Sequence, residues 1–147
     1  MKIYLDTCCY GRPFDKQEQA KVAAETIAVM TAISTCKIAG YGIIGSNAVD
    51  FELGRILNDK LRAATKTFYD LTVDDRVFLT AEGHKRAEAL HAEGLGVMDS
   101  QHLAAAEAAG VEYLLTTDED FERICAKKNL SSVKVINPLT FLTEAIV

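Results

Sequence analysis

Apolar residues follow two patterns that alternate along the chain. Short apolar runs predict strands over residues 2–5, 41–44, 77–79, 111–115 and 134–136. Between these runs, apolar residues recur at helical spacing, and glycine, proline and short polar residues mark where the segments start and stop. This spacing predicts helices over about residues 17–36, 47–57, 59–71, 80–91 and 99–109, with two more that begin at about residue 117 and at Pro138, the last reaching Ala145.

The order of these elements predicts an α/β fold. Strands that read as continuous apolar runs are typical of parallel strands buried on both faces, and the intervening helices supply the crossover connections. We therefore predict a three-layer α/β/α sandwich with a mainly parallel central sheet. The chain has 147 residues, of which 49% are hydrophobic, so it can bury one core unaided. We expect a single domain over residues 1–147.

Charge and composition narrow the class of protein. The formal net charge of −5 argues against a protein that binds nucleic acid mainly through a broad basic field, although an acidic metal site would itself add negative charge. The chain has no apolar run as long as a membrane span and no signal-peptide pattern, so we expect a soluble, cytoplasmic protein with no membrane contact. Four cysteines lack paired C-x-x-C spacing, and we interpret them as reduced, packed thiols: Cys8, Cys9, Cys36 and Cys125.

Four acidic residues are predicted to lie at one edge of the sheet. Asp6 follows the first strand and Asp118 follows the strand over 111–115, so both lie at carboxyl ends of parallel strands, where ligands gather in α/β folds. Glu52 borders the apolar stripe of its helix, and Asp99 begins an alanine-rich helix that can pack closely against the sheet. Each aspartate on its own could equally be a helix cap.

Carboxylates brought this close together would repel one another, and they would take up protons or bind a cation. Mg²⁺ and Mn²⁺ accept such oxygen ligands, keep several waters and need only one or two direct carboxylates. A site of this kind supports hydrolysis of a phosphodiester, because the metal lowers the pKa of the attacking water and stabilises the leaving oxygen.

Four segments together resemble the PIN-domain family of metal-dependent ribonucleases, which includes the VapC toxins of toxin–antitoxin pairs. The segments are YLDT at residues 4–7, SNAVDFEL at 46–53, DSQHLAAAEAAG at 99–110 and LLTTDEDFE at 114–122. The resemblance implies an acidic quartet of Asp6, Glu52, Asp99 and Asp118. In it, Asp6 and Asp99 are the main metal ligands, Glu52 orients metal-bound water, and Asp118 completes the site.

The resemblance also implies further pocket residues and partners. Asp120 is a candidate fifth acidic contributor, and Ser46 and Thr117 occupy hydroxyl positions that line the pocket. It implies hydrolysis of RNA without a covalent intermediate, Mg²⁺ or Mn²⁺ as the cofactor, a homodimer and an antitoxin partner. Thr117 replaces a basic residue common in the family, so Arg12 is a candidate phosphate contact. His102 is unusual at its position, and we expect it to be an exposed helical residue.

Other readings of Asp6 remain. An aspartate after the first strand can be the covalent nucleophile of a phosphatase, but the acid/base aspartate two residues on is replaced here by Cys8. A response-receiver module needs an acidic pair at this strand end, and Leu5 precedes Asp6. A PIN-fold module that binds RNA or protein without cleaving it stays open as the alternative to a ribonuclease.

Overall fold

The computed structural model describes residues 1–145. The predicted domain 1–147 therefore includes two residues, 146 and 147, that lie outside the described range. The elements in chain order are β1 Lys2–Leu5, α1 Thr7–Gly11, a 3₁₀ turn Arg12–Phe14, α2 Ala20–Ala39, β2 Gly42–Ser46, α3 Asn47–Gly54, α4 Asp59–Thr72, β3 Asp75–Val77, α5 Ala81–Ala92, α6 Val97–Ala109, β4 Tyr113–Leu115, α7 Glu119–Lys128, β5 Lys134–Ile136 and α8 Pro138–Glu144.

The five strands form one parallel sheet in the order β3-β2-β1-β4-β5. Helices flank this sheet as a three-layer α/β/α sandwich, which confirms the predicted fold class. The central strand β1 is buried on both faces, and Ile3, Tyr4 and Leu5 are all fully inaccessible. The chain runs from β1 to β2 and β3 on one side, and to β4 and β5 on the other. The strand order therefore reverses beside β1, which is where open α/β sheets bind ligands.

Local sequence signals explain most helix ends. Ser46 caps α3 by accepting a hydrogen bond from Val49 N at 3.3 Å, and Thr80 caps α5 by accepting one from Gly83 N at 3.2 Å. Helices α2 and α6 end at Gly40 and Gly110, whose φ angles of 74° and 68° lie in the left-handed region that glycine adopts readily. The predicted start of α6 at Asp99 is two residues late, because the helix begins at Val97.

The third predicted strand is displaced by two residues. We predict a strand over residues 77–79, but β3 covers Asp75–Val77 and Phe78 is 68% exposed. This strand lies at the edge of the sheet and pairs only with β2, so its position is set by backbone pairing with Ile44–Ser46 rather than by burial of apolar side chains. Helix α3 is also shorter than predicted, because it ends at Gly54 and not at about residue 57.

Helix α2 is long and apolar enough, by length and composition alone, to cross a membrane. Only one face of the helix is buried in the core, while Ile27 and Ile38 are exposed. Its Glu25 is fully buried, where it forms an ion pair with Arg12 at 3.0 Å and accepts a hydrogen bond from Asn137 Nδ2 at 2.7 Å. These contacts tie α2 to the 3₁₀ turn and to the N-terminus of α8.

Candidate metal centre

Asp6 lies at the centre of the sheet edge, directly after β1, and is only 6% exposed. Its Oδ1 accepts a hydrogen bond from Thr7 N at 2.8 Å, and its Oδ2 accepts one from the Thr116 hydroxyl at 2.8 Å. The same Thr116 oxygen accepts a hydrogen bond from Asp118 N at 3.1 Å. A single hydroxyl therefore links the ends of β1 and β4 and positions two of the predicted acidic residues relative to each other.

Asp99 lies in the first turn of α6 and is half-buried. Its pKa is raised to about 7, first by burial and then by the negative charges of Asp6 and Asp118, with a smaller contribution from Glu52. The charge of His102 acts in the opposite direction. The charges of Asp6 and Asp118 therefore act on Asp99 at short range.

Glu52 extends from α3 toward the same site. Its Oε1 accepts hydrogen bonds from the Thr7 hydroxyl, at 2.7 Å, and from His102 Nε2. Burial alone would raise the pKa of Glu52, but the hydrogen bond and charge of His102, together with the Thr7 hydrogen bond, lower it overall. Glu52 is therefore held as a carboxylate in a fixed orientation.

The expectation that His102 is exposed is wrong, since its side chain is completely buried. Its Nε2 lies 3.3 Å from Asp6 Oδ1 and contacts Glu52 Oε1, while its Nδ1 lies 2.6 Å from the hydroxyl of Tyr4. Burial alone would lower the pKa of His102, but the neighbouring carboxylates outweigh it and raise the pKa. His102 is three residues after Asp99, so the two share one face of α6, and that face packs inward.

These residue types fit a divalent cation. Asp6, Glu52 and His102 each offer one ligand atom, and these atoms lie within 4.8 Å of one another. Asp99 adds a half-buried carboxylate beside them, and the exposed Asp118 adds a further charge. Carboxylate oxygens are the usual protein ligands of Mg²⁺ and Mn²⁺, and an imidazole nitrogen suits transition-metal ions.

The two predicted hydroxyl positions lie outside the ring of carboxylates. Ser46 is fully buried, and its Oγ is 2.6 Å from the Tyr4 hydroxyl, so it stands behind Tyr4 rather than beside Asp6. Thr117 is also nearly inaccessible, and its backbone N–H donates a hydrogen bond to Cys8 Sγ at 3.4 Å. The cysteine thiol in turn donates to Asp6 at 3.4 Å. All four cysteines are free.

Asp120 and Arg12, the two other charged residues predicted for the pocket, form ion pairs with residues outside it. Asp120 is 79% exposed at the start of α7 and forms an ion pair with Arg123 at 2.7 Å. Arg12 forms ion pairs with Asp15 at 2.8 Å and with the buried Glu25. Arg12 does line a cleft of about 340 Å³ that also includes Thr7, so its side chain lies on the approach to the site.

Sequence reasoning missed four side chains that shape this site: Thr7, Thr116, His102 and Tyr4. A signal for Thr116 was present in the sequence, because Asp6 and Thr116 each directly follow a predicted strand, over residues 2–5 and 111–115. The Asp99-to-His102 spacing was a signal as well. The sequence carried no sign that Tyr4 on β1 would reach His102 on α6, since that contact spans 98 residues.

The model of the PIN domain family matches residues 3–127. The chain belongs to the PIN-domain family. Two solved structures share this PIN fold. The structure of FitAcB from Neisseria gonorrhoeae has a TM-score of 0.56 and 15% identity, covering 93% of this chain and 98% of the other. The VapC20 toxin of Mycobacterium tuberculosis has a TM-score of 0.61 and 16% identity, covering 90% of this chain and 98% of the other. No curated protein matches the chain significantly.

Proposed function

We propose that this PIN-domain protein is a metal-dependent endoribonuclease that hydrolyses RNA phosphodiester bonds. The observation that supports the proposal is that Asp6, Glu52 and His102 each offer a ligand atom within 4.8 Å of the others, while burial and the charges of Asp6 and Asp118 raise the pKa of Asp99 to about 7. Like charges held this close favour a divalent cation. The family membership supports nuclease chemistry at this site.

Each acidic residue has a role in this proposal. Asp6 and Asp99 bind Mg²⁺ or Mn²⁺, and Asp118 completes the acidic set. When bound, the metal supplies an activated water and stabilises the leaving oxygen. Glu52 orients the water and accepts its proton, because the Thr7 hydroxyl holds its Oε1 and thereby fixes the direction of the carboxylate.

The cleft beside Thr7 is the proposed path of the RNA strand. Arg12 lines this cleft and is the proposed phosphate contact. To bind a phosphate, its guanidinium would leave the exposed Asp15, with which it now forms an ion pair. Thr117 and Ser46 contact the side chains of Cys8 and Tyr4 and so support the pocket without lining it. Asp120, in the first turn of α7, adds negative charge at the outer edge of the pocket.

We further propose that the protein acts in the cytoplasm as a single-domain toxin, as a homodimer, with an antitoxin partner and without membrane contact. Among the structural neighbours, VapC20 is described as a toxin that cleaves the sarcin–ricin loop. An apolar groove of about 600 Å³ between the 3₁₀ turn, α2 and α4, lined by Phe14, Met30, Phe68 and Leu71 among others, supports a protein partner.

Light scattering of the purified chain tests the dimer. Relief of growth arrest by a co-expressed adjacent gene product tests the antitoxin.

RNA cleavage with added Mg²⁺ or Mn²⁺ tests the central proposal. Because even substitutions behind the ligands cost about 10–100-fold, we expect Asp6→Asn and Asp99→Asn to lose at least about a hundredfold in cleavage rate. Asp75→Asn, on the exposed edge strand, is the matched control and should cleave like the wild type. Equal cleavage by all four proteins would assign the activity to a contaminant and overturn the site.

Metal binding gives a second test. Because a ligand that binds only the folded state stabilises it, Mn²⁺ should raise the melting temperature of the wild type, and Asp6→Asn should largely abolish the rise. An unchanged rise in Asp6→Asn would refute Asp6 as a ligand. If the wild type binds RNA or a protein partner but cleaves none of a varied set of RNAs, a non-cleaving module replaces the ribonuclease.

A further inference from the structure

The acidic site contains one nitrogen donor. His102 is fully buried, and its Nε2 lies between two carboxylates, 3.3 Å from Asp6 Oδ1 and in contact with Glu52 Oε1. Water-orienting and metal-binding carboxylates do not require an imidazole among them. The position of His102 is therefore a property of this chain that the proposed ribonuclease chemistry leaves unexplained.

A buried chain of hydrogen bonds holds the other side of the ring. His102 Nδ1 is 2.6 Å from the Tyr4 hydroxyl, which is 2.6 Å from Ser46 Oγ, and Ser46 Oγ accepts a further bond from Val49 N. When Nδ1–H donates to Tyr4 and Tyr4 donates to Ser46, the lone pair of Nε2 points at the carboxylates. Metal-bound histidines are held in this way, with the second ring nitrogen donating to a fixed partner.

The separation of the two candidate donors also fits one coordination sphere. For bonds of about 2.1 Å, neighbouring ligands of a metal stand roughly 3.0–3.4 Å apart. Asp6 Oδ1 and His102 Nε2 are 3.3 Å apart. Without a metal, Nε2–H donates to Glu52 Oε1; metal binding would replace this hydrogen bond with a bond from Nε2 to the metal, and the Thr7 hydroxyl would still hold Glu52.

We propose that His102 Nε2 is a metal ligand beside Asp6, and that this mixed nitrogen–oxygen set makes the site prefer first-row transition-metal ions such as Mn²⁺ and Co²⁺ to Mg²⁺. This inference rests on the proposed function, because it concerns the metal of the same site. Imidazole binds Mg²⁺ poorly and binds transition metals with an affinity that rises along the series from Mn²⁺ to Cu²⁺.

Calorimetric titration of the metal-free full chain with Co²⁺ and with Mg²⁺ measures the preference. We expect His102→Gln to lower the Co²⁺-to-Mg²⁺ affinity ratio at least about tenfold while Mg²⁺ still binds. Tyr4→Phe removes the hydroxyl that holds the ring and should lower the same ratio, since loss of such a partner costs about 10–100-fold in metal affinity. His84→Gln removes an exposed histidine on α5 and should leave the ratio unchanged.

Pulsed electron paramagnetic resonance of the Mn²⁺-loaded wild type gives a readout that does not depend on any variant folding. A ¹⁴N coupling that is present in the wild type and in His84→Gln supports the ligand. Its absence from the wild type, or an unchanged affinity ratio in a folded His102→Gln, overturns it. Cleavage assays separate the two proposals: Mg²⁺-dependent cleavage without ¹⁴N coupling refutes only the nitrogen ligand, and ¹⁴N coupling without any cleavage refutes only the ribonuclease.

Discussion

Asp99→Asn should stabilise the metal-free protein at neutral and alkaline pH. In the folded chain the pKa of Asp99 is raised to about 7, first by burial and then by the charges of Asp6 and Asp118. The unfolded chain ionises this group near its ordinary pKa of 3.8. Between these two values the folded state binds more protons than the unfolded state, so its stability falls as the pH rises. Asparagine has nearly the same shape and cannot ionise.

The size of the effect follows from the same two values. At about 1.4 kcal/mol per pH unit, a change from 3.8 to about 7 corresponds to a ceiling of about 4 kcal/mol. Asp99 is only half-buried, and water and salt screen part of the repulsion. We therefore expect Asp99→Asn to gain about 1–2 kcal/mol in free energy of unfolding above about pH 7 and to gain almost nothing below about pH 4.

Urea unfolding in the presence of a chelator measures this difference. Wild type and Asp99→Asn are compared at about pH 8 and about pH 4.5, and the gain should shrink toward the lower pH because wild-type Asp99 becomes protonated. Asp75→Asn serves as the control, since its carboxylate is exposed on the edge strand. With saturating Mn²⁺ the order should reverse, because the wild type alone then gains the binding energy of an intact site.

A lower stability of Asp99→Asn at about pH 8, or a gain that does not depend on pH, would refute the reasoning. In the first case Asp99 would be stabilised by contacts that asparagine cannot replace. In the second case the effect would come from packing rather than from repulsion among the carboxylates.

Three further predictions concern the scaffold. Arg12→Ala should cost about 3–5 kcal/mol in urea unfolding, because it leaves the fully buried carboxylate of Glu25 without its cation. Gly45→Ala should destabilise β2 and lower the melting temperature, since a Cβ there would stand 2.8 Å from ring carbons of Tyr69, and an equal loss in Gly54→Ala, where space is open, would contradict this. The pKa of Glu107 is lowered because burial, which raises it, is outweighed by hydrogen bonds from Arg86 and Ser131. Glu107→Gln should therefore lose about 1 kcal/mol at neutral pH, and this loss should disappear as the pH falls below about 4.

The chain's hydrophobic pattern was sufficient to predict the sheet. Short apolar runs separated by helices favour a mainly parallel sheet covered on both faces, and four of the five predicted strands overlap an observed strand by three or more residues. The edge strand failed because an edge needs only one pairing partner and little burial. Helix starts at Ser46 and Thr80 were predictable because a cap acts within three residues of its own position.

The sequence alone determined which site residues follow strand ends, and it did not determine contacts between segments that are far apart in the chain. Asp6 and Asp118 were predictable as neighbours because both follow parallel strands, and parallel strands end at the same edge. The setting of His102 was decided only by tertiary packing. Its environment is made by Tyr4 from β1 and Glu52 from α3, and no local pattern reports whether an inward-facing histidine will meet apolar side chains or two carboxylates. Local rules therefore set where the carboxylates lie, while contacts between distant segments decide which other donors reach the same point.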